Sequence, residues 1–112
     1  MSLKIAFIGS REVFVDNIAS YLEADCEEIV SGGARGVDTQ VASIAREKGI
    51  VLTEFLPDYT KYGRAAPIVR NRKIVEYADK IIAFWDGKSR GTDFVIKYAQ
   101  KLEKPCTVII IK

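Results

Sequence analysis

The chain contains no histidine. That removes the commonest general base near neutral pH and the commonest metal ligand, so any chemistry rests on carboxylates, Tyr, Lys, Arg or backbone dipoles. There are two cysteines, Cys26 and Cys106, far apart and without metal or redox spacing. Two free thiols are therefore expected, with no disulfide and no metal site. Long apolar runs are also lacking: the longest are Ile81 to Trp85 and Val108 to Ile111, too short to cross a bilayer, so no membrane partner is expected. No signal-peptide pattern precedes the first strand-like segment, which makes the cytoplasm the expected location. Charge of one sign is scarce as well. The net charge of +2 is too small to argue for nucleic acid.

What remains is a composition of 48% apolar and 29% charged residues over 112 positions, as for one globular domain, residues 1–112, with one core. No internal repeat or linker breaks it. Five apolar runs punctuate the chain: Lys4 to Ile8, Glu28 to Val30, Ile50 to Phe55, Lys80 to Trp85 and Thr107 to Ile111. Helical spacing fills the gaps. Phe14, Ile18, Tyr21 and Leu22 recur at i, i+4, i+7 and i+8; Val37, Val41, Ile44 and Ala45 share a face that ends at Gly49. Pro67 suits the first turn of a third helix reaching about Ala78, with Ile68, Asn71, Val75 and Ala78 in one stripe. Val95, Ala99 and Leu102 point inward from a fourth, closed by Pro105. Residues 56–66 read as irregular. The βαβαβαβαβ order, with strands apolar throughout, predicts an α/β fold: a Rossmann-like three-layer α/β/α sandwich with five parallel strands ordered 3-2-1-4-5.

In that order the crevice opens between strands 1 and 4, at the strand carboxyl ends. The turns at 9–11, 31–38, 56–66 and 86–92 all lie on that side. Ser31-Gly32-Gly33-Ala34-Arg35-Gly36-Val37-Asp38 joins a strand to a helix, as a backbone anion site does. Its spacing is not the dinucleotide pattern G-x-G-x-x-G, and it follows the second strand. Its expected role is the wall and ribose side of the site, with Arg35 aimed inward. Asp38 reads either as an acceptor for ribose hydroxyls or as a helix-start residue paired with the dipole. Gly87-Lys88-Ser89 resembles the end of a P-loop, but the required first glycine is Ile82. The stronger claim to a phosphate belongs to Arg90-Gly91-Thr92, where backbone N–H groups and a hydroxyl open the fourth helix. Asn71 lies in an apolar stripe and needs partners. Asn71 or Arg70 either reaches the crevice or ties down the 56–66 loop. Tyr59 and Tyr62 are candidates for stacking on a base and Asp86 for orienting a sugar, against the plainer reading of loop packing.

Taken in order, Gly9-Ser10-Arg11, Ser31-Gly32-Gly33-Ala34 with Gly36 and Asp38, Pro57-Asp58 with Tyr62-Gly63, Arg70-Asn71, and Asp79 through Ile82-Ala83-Phe84 to Gly91-Thr92 span nearly the whole chain. This set resembles the SLOG superfamily, the Rossmann-like group containing Smf/DprA and the LOG nucleotide phosphoribohydrolases, and looks most like its small YspA-like single-domain branch. The resemblance implies a nucleotide or nucleotide-derived ligand with phosphate at the Gly91-Thr92 helix start. No cofactor is expected. LOG enzymes carry P-G-G-x-G-T-x-x-E; here the glutamate position is Val95 and the proline-glycine pair is absent. No catalytic residue is assigned. A nucleotide-binding module, in the role of a sensor, is therefore the leading expectation. A hydrolase of nucleotide N-glycosides using Asp38, Asp58 or Asp86 is an alternative, as is single-stranded nucleic-acid binding of the Smf/DprA kind through Arg11, Arg35, Arg64 and Arg70. Self-association is left open.

Overall fold

A computed structural model describes residues 3–10, 13–33 and 36–111. In chain order the elements are β1 (Leu3–Gly9), a 3-10 turn (Ile18–Tyr21), β2 (Cys26–Ser31), α1 (Val37–Lys48), β3 (Val51–Glu54), α2 (Tyr59–Tyr62), a second 3-10 turn (Gly63–Ala65), α3 (Ala66–Tyr77), β4 (Lys80–Trp85), α4 (Arg90–Lys101) and β5 (Cys106–Ile110). The five strands form one parallel sheet ordered β3-β2-β1-β4-β5. This is the expected three-layer, Rossmann-like arrangement.

Side chains alternate across the sheet, so the three inner strands, β2, β1 and β4, each feed two cores. Ile5, Phe7, Ile29, Ile82 and Phe84 face α1 and the segment after β1. Ala6, Ile8, Val30, Ile81 and Ala83 face α3 and α4. Burial on both faces is why the strands carry no polar alternation. Each helix ends for a local reason. Gly49 adopts a left-handed conformation after α1 and returns its N–H to the Ala45 carbonyl. α3 ends where the Lys104 ammonium donates to the carbonyls of Val75, Glu76 and Ala78 at 2.6–2.7 Å. Ser89 caps the start of α4.

The first crossover differs from its predicted form. No α-helix carries Phe14, Ile18, Tyr21 and Leu22 along one face. Asn17 is left-handed, at φ 55° and ψ 43°, which interrupts any helix there. Val13 and Val15 are buried instead, two residues apart, as in extended chain, and Phe14 between them is 70% exposed. The Gln40 side chain holds this segment like a neighbouring strand: its Nε2 donates to the Val15 carbonyl at 2.8 Å, and its Oε1 accepts the Val15 N–H at 2.9 Å.

Other differences are smaller. β3 is shorter than Ile50 to Phe55, and β5 begins and ends one residue early. Residues 56–66 contain the single turn α2, which Asp58 caps by accepting the Lys61 N–H at 3.1 Å. Ile68 leaves the predicted stripe and is 47% exposed, and Ile74 takes its place in the core.

Candidate functional site

The strand order reverses between β1 and β4, and a cavity of about 580 Å³ opens at their carboxyl ends. Its wall includes Gly9, Gly32, Gly33, Asp38, Arg70, Asn71, Gly91 and Thr92, all singled out in the sequence. Three turns and two helix starts thus meet in one place. Ile8, Pro67, Ile74 and Ser89 also line it and were not foreseen. Signals for them exist. Ile74 lies three and four residues after Asn71 and Arg70, hence on their helix face, and Ser89 is the hydroxyl immediately before a helix start.

β1 ends in Gly9 because α1 starts against it: a Cβ added at Gly9 would lie 2.4 Å from Val37 Cγ2. Ser10 is buried behind the cavity wall rather than in it. Its hydroxyl lies 3.3 Å from Thr92 Oγ1, donates to Asp86 Oδ1 at 3.3 Å and accepts the Asp86 N–H at 3.2 Å. The end of β1 is thereby tied to both ends of the β4–α4 turn.

Asp86 is occupied by that turn. Its Oδ1 accepts the N–H groups of Lys88 and Ser89, each at 2.8 Å, which holds its carboxyl below the ordinary aspartate range. Asp86 is exposed and absent from the cavity wall. Arg90, the first residue of α4, is likewise exposed and absent from the cavity wall. Trp85 braces the same turn by donating its ring N–H to the Ser89 carbonyl at 3.0 Å. Tyr59 and Tyr62 do not line the cavity: Tyr59 is exposed, and the Tyr62 ring lies under the ammonium groups of Lys61 and Lys73. Arg11 and Arg35 lie outside the described residues.

The polar centre of the cavity is the pair Arg70–Asn71. Arg70 is partly buried, and burial pulls its guanidinium below its usual value, with the Asp38 and Tyr59 charges acting the other way. Its Nη1 donates to the Gly32 carbonyl at 2.8 Å, and its Nε donates to Asn71 Oδ1 at 2.8 Å. A guanidinium can only donate, so the Asn71 oxygen must face it. The Asn71 amide nitrogen therefore turns the other way, toward Gly91, where a Cβ would stand 3.7 Å from it. Among the described residues Nδ2 has no acceptor, and neither do the N–H groups of Arg90 and Gly91 in the first turn of α4. Asp38, buried in the first turn of α1, is the acidic residue of the wall.

These donors define an anion pole beside a hydroxyl, with a carboxylate elsewhere on the wall. Among the described residues no cluster of three or more Cys, Asp or Glu is placed to hold a metal ion, and no helix is long and apolar enough to cross a membrane. Comparison with family models, curated proteins and solved structures returns no match in any of the three.

Proposed function

We propose that the cavity binds a nucleotide or nucleotide-derived ligand, and that the chain is a small SLOG-type module that senses such a ligand. The phosphate lies among the Arg70 guanidinium, Asn71 Nδ2 and the first turn of α4; the sugar lies toward Asp38. The observation that carries this reading is the Arg70–Asn71 lock, which turns the Asn71 amide donor toward the first turn of α4, where two helix N–H groups are unpaired. A helix N-terminus favours an anion through its free N–H groups and its dipole. A partly buried guanidinium adds a full charge in a setting of low screening. The cavity is also within the roughly 300–1,000 Å³ range of small-ligand sites.

Binding is favoured over hydrolysis because Val95, at the position of the LOG glutamate, is fully buried in the core under α4 and lines no part of the cavity. Asp58 caps α2 and Asp86 organises its own turn, which leaves Asp38 as the acid a hydrolase would use. Calorimetric titration of the folded protein with AMP, ADP-ribose, NAD and cyclic nucleotides tests the proposal. Saturable binding that is lost in Asn71→Ala supports it, and no binding to any of these ligands overturns it. Base release that disappears in Asp38→Asn would instead establish the hydrolase.

A further inference from the structure

The two edges of the sheet are unlike each other. β3 is four residues long, ends in Glu54, and has its Thr53 hydroxyl bonded to the Glu28 carboxylate at 2.6 Å. Charge and shortness are ordinary protections for an edge. β5 has neither: Cys106-Thr107-Val108-Ile109-Ile110 carries no charge, no proline and no bulge. Val108 is 39% and Ile110 55% exposed, so α4 does not cover the outer margin of the strand.

The backbone of β5 shows what that margin accepts. Ile81 donates its N–H to the Pro105 carbonyl at 2.9 Å, and Ile111 donates to the Trp85 carbonyl at 2.8 Å. In a parallel ladder both main-chain groups of a residue face the same side, and the side alternates along the strand. The odd-numbered residues of β5 therefore pair with β4. Cys106, Val108 and Ile110 turn their N–H and C=O groups outward, and none of these finds a protein partner among the described residues.

We infer that β5 pairs with β5 of a second copy of this chain, antiparallel about a two-fold axis at Val108. A row of unpaired main-chain donors and acceptors is completed by another strand, and an antiparallel copy is complementary to itself. With Val108 on the axis, Cys106 of each chain faces Ile110 of the other and Val108 faces its own copy. Every outward group then has a partner, and the two five-stranded sheets become one. Antiparallel pairing also reverses strand direction, so the two cavities open at opposite ends of the joined sheet, each left unobstructed.

Sedimentation equilibrium of the full chain reads the result directly. The expected mass is twice the 12.5 kDa of one chain. Val108→Lys and Val108→Glu, each placed on an exposed side chain, are expected to sediment as folded monomers by circular dichroism. Mixed in equal amounts they are expected to form the dimer again, because position 108 then sets opposite charges face to face. Ile110→Lys, off the axis, is expected to be monomeric and serves if either first variant fails to fold. A wild-type monomer overturns the inference and leaves the edge to a strand of another protein. A Val108→Lys dimer, or a mixture that stays monomeric, overturns it too.

Discussion

Gly91→Ala separates the proposed ligand role of α4 from its structural role. Gly91 is the second residue of α4, and the Cβ it lacks would meet only Asn71 Nδ2, at an ordinary contact distance of 3.7 Å. Nothing in the fold needs to shift to admit the methyl. Alanine also loses less backbone entropy than glycine on entering a helix, so the variant gains about 0.5 kcal/mol, below the full interior value because the site is in the first turn. For a chain of this size that is a rise of roughly 2–3 °C in Tm. The same methyl stands against the Asn71 donor in the first turn of α4, where the phosphate is proposed to lie. Pushing the anion away weakens hydrogen bonds to a charged group, each about 1.5–3 kcal/mol, which is roughly a 10- to 100-fold loss of affinity. Thermal unfolding without ligand and calorimetry with whichever nucleotide binds give the two readouts. Unchanged affinity in a variant of equal or higher Tm refutes the placement of phosphate at α4. A fall in Tm refutes the claim that the glycine is there for the ligand rather than for the fold.

Gly32→Ala acts on the other side of the site. Its Cβ would lie 2.5 Å from Arg70 Nη1 and 3.0 Å from Cζ, so the guanidinium must leave the Gly32 carbonyl. Loss of one such bond costs about 1–2 kcal/mol of stability in urea unfolding, with ligand affinity falling at least 10-fold. Gly9→Ala drives a methyl into Val37 Cγ2 at 2.4 Å and Cβ at 2.6 Å, an overpacking worth about 1–3 kcal/mol. Adding Val37→Ala relieves the first contact and not the second, so in urea unfolding the double variant is expected to lose less stability than the sum of the two single losses. Glu28 accepts from Thr53 Oγ1 at 2.6 Å and from Tyr77 Oη at 2.5 Å, which holds its carboxyl below the ordinary glutamate value. A depressed folded value stabilises the protein above the unfolded pKa, about 4.3, and that contribution is lost as pH falls through the folded one. Urea midpoints measured from pH 6 to pH 3 are therefore expected to fall more steeply for the wild type than for Glu28→Gln.

Strand order and crevice were legible because the relevant signals are local. Apolar runs without alternation announce strands buried on both faces, and glycine turns at their carboxyl ends mark where a parallel sheet changes direction. The first crossover was not legible in this way. Phe14, Ile18, Tyr21 and Leu22 fit the helical period, while Val13 and Val15 fit the period of a strand, and the two patterns overlap over the same ten residues. The choice was made by Gln40, 25 residues away in sequence, whose amide satisfies the Val15 backbone. Asp86 was misleading for a related reason. In Asp-Gly-Lys-Ser a carboxylate near a site looks like a sugar ligand, but the same composition folds the carboxylate back on its own turn.

The glycine turn after β2 has the look of an anion loop, yet the close approach it permits is to Arg70. The space a side chain would take at Gly32 is filled by the guanidinium, and the Gly32 carbonyl accepts from it. That bond leaves Nε directed at Asn71, and Nε in turn dictates which way the Asn71 amide faces. The turn therefore acts on the cavity at one remove: its small residue positions a cation from α3, and the cation positions an amide that faces α4. This explains why a G-G-x-x-G spacing can sit beside the crevice without matching any phosphate-loop pattern. Such patterns record where main-chain N–H groups touch a ligand directly. Here Gly32 contributes a carbonyl and a void, and among the described residues the N–H groups of Arg90 and Gly91 in the first turn of α4 have no acceptor.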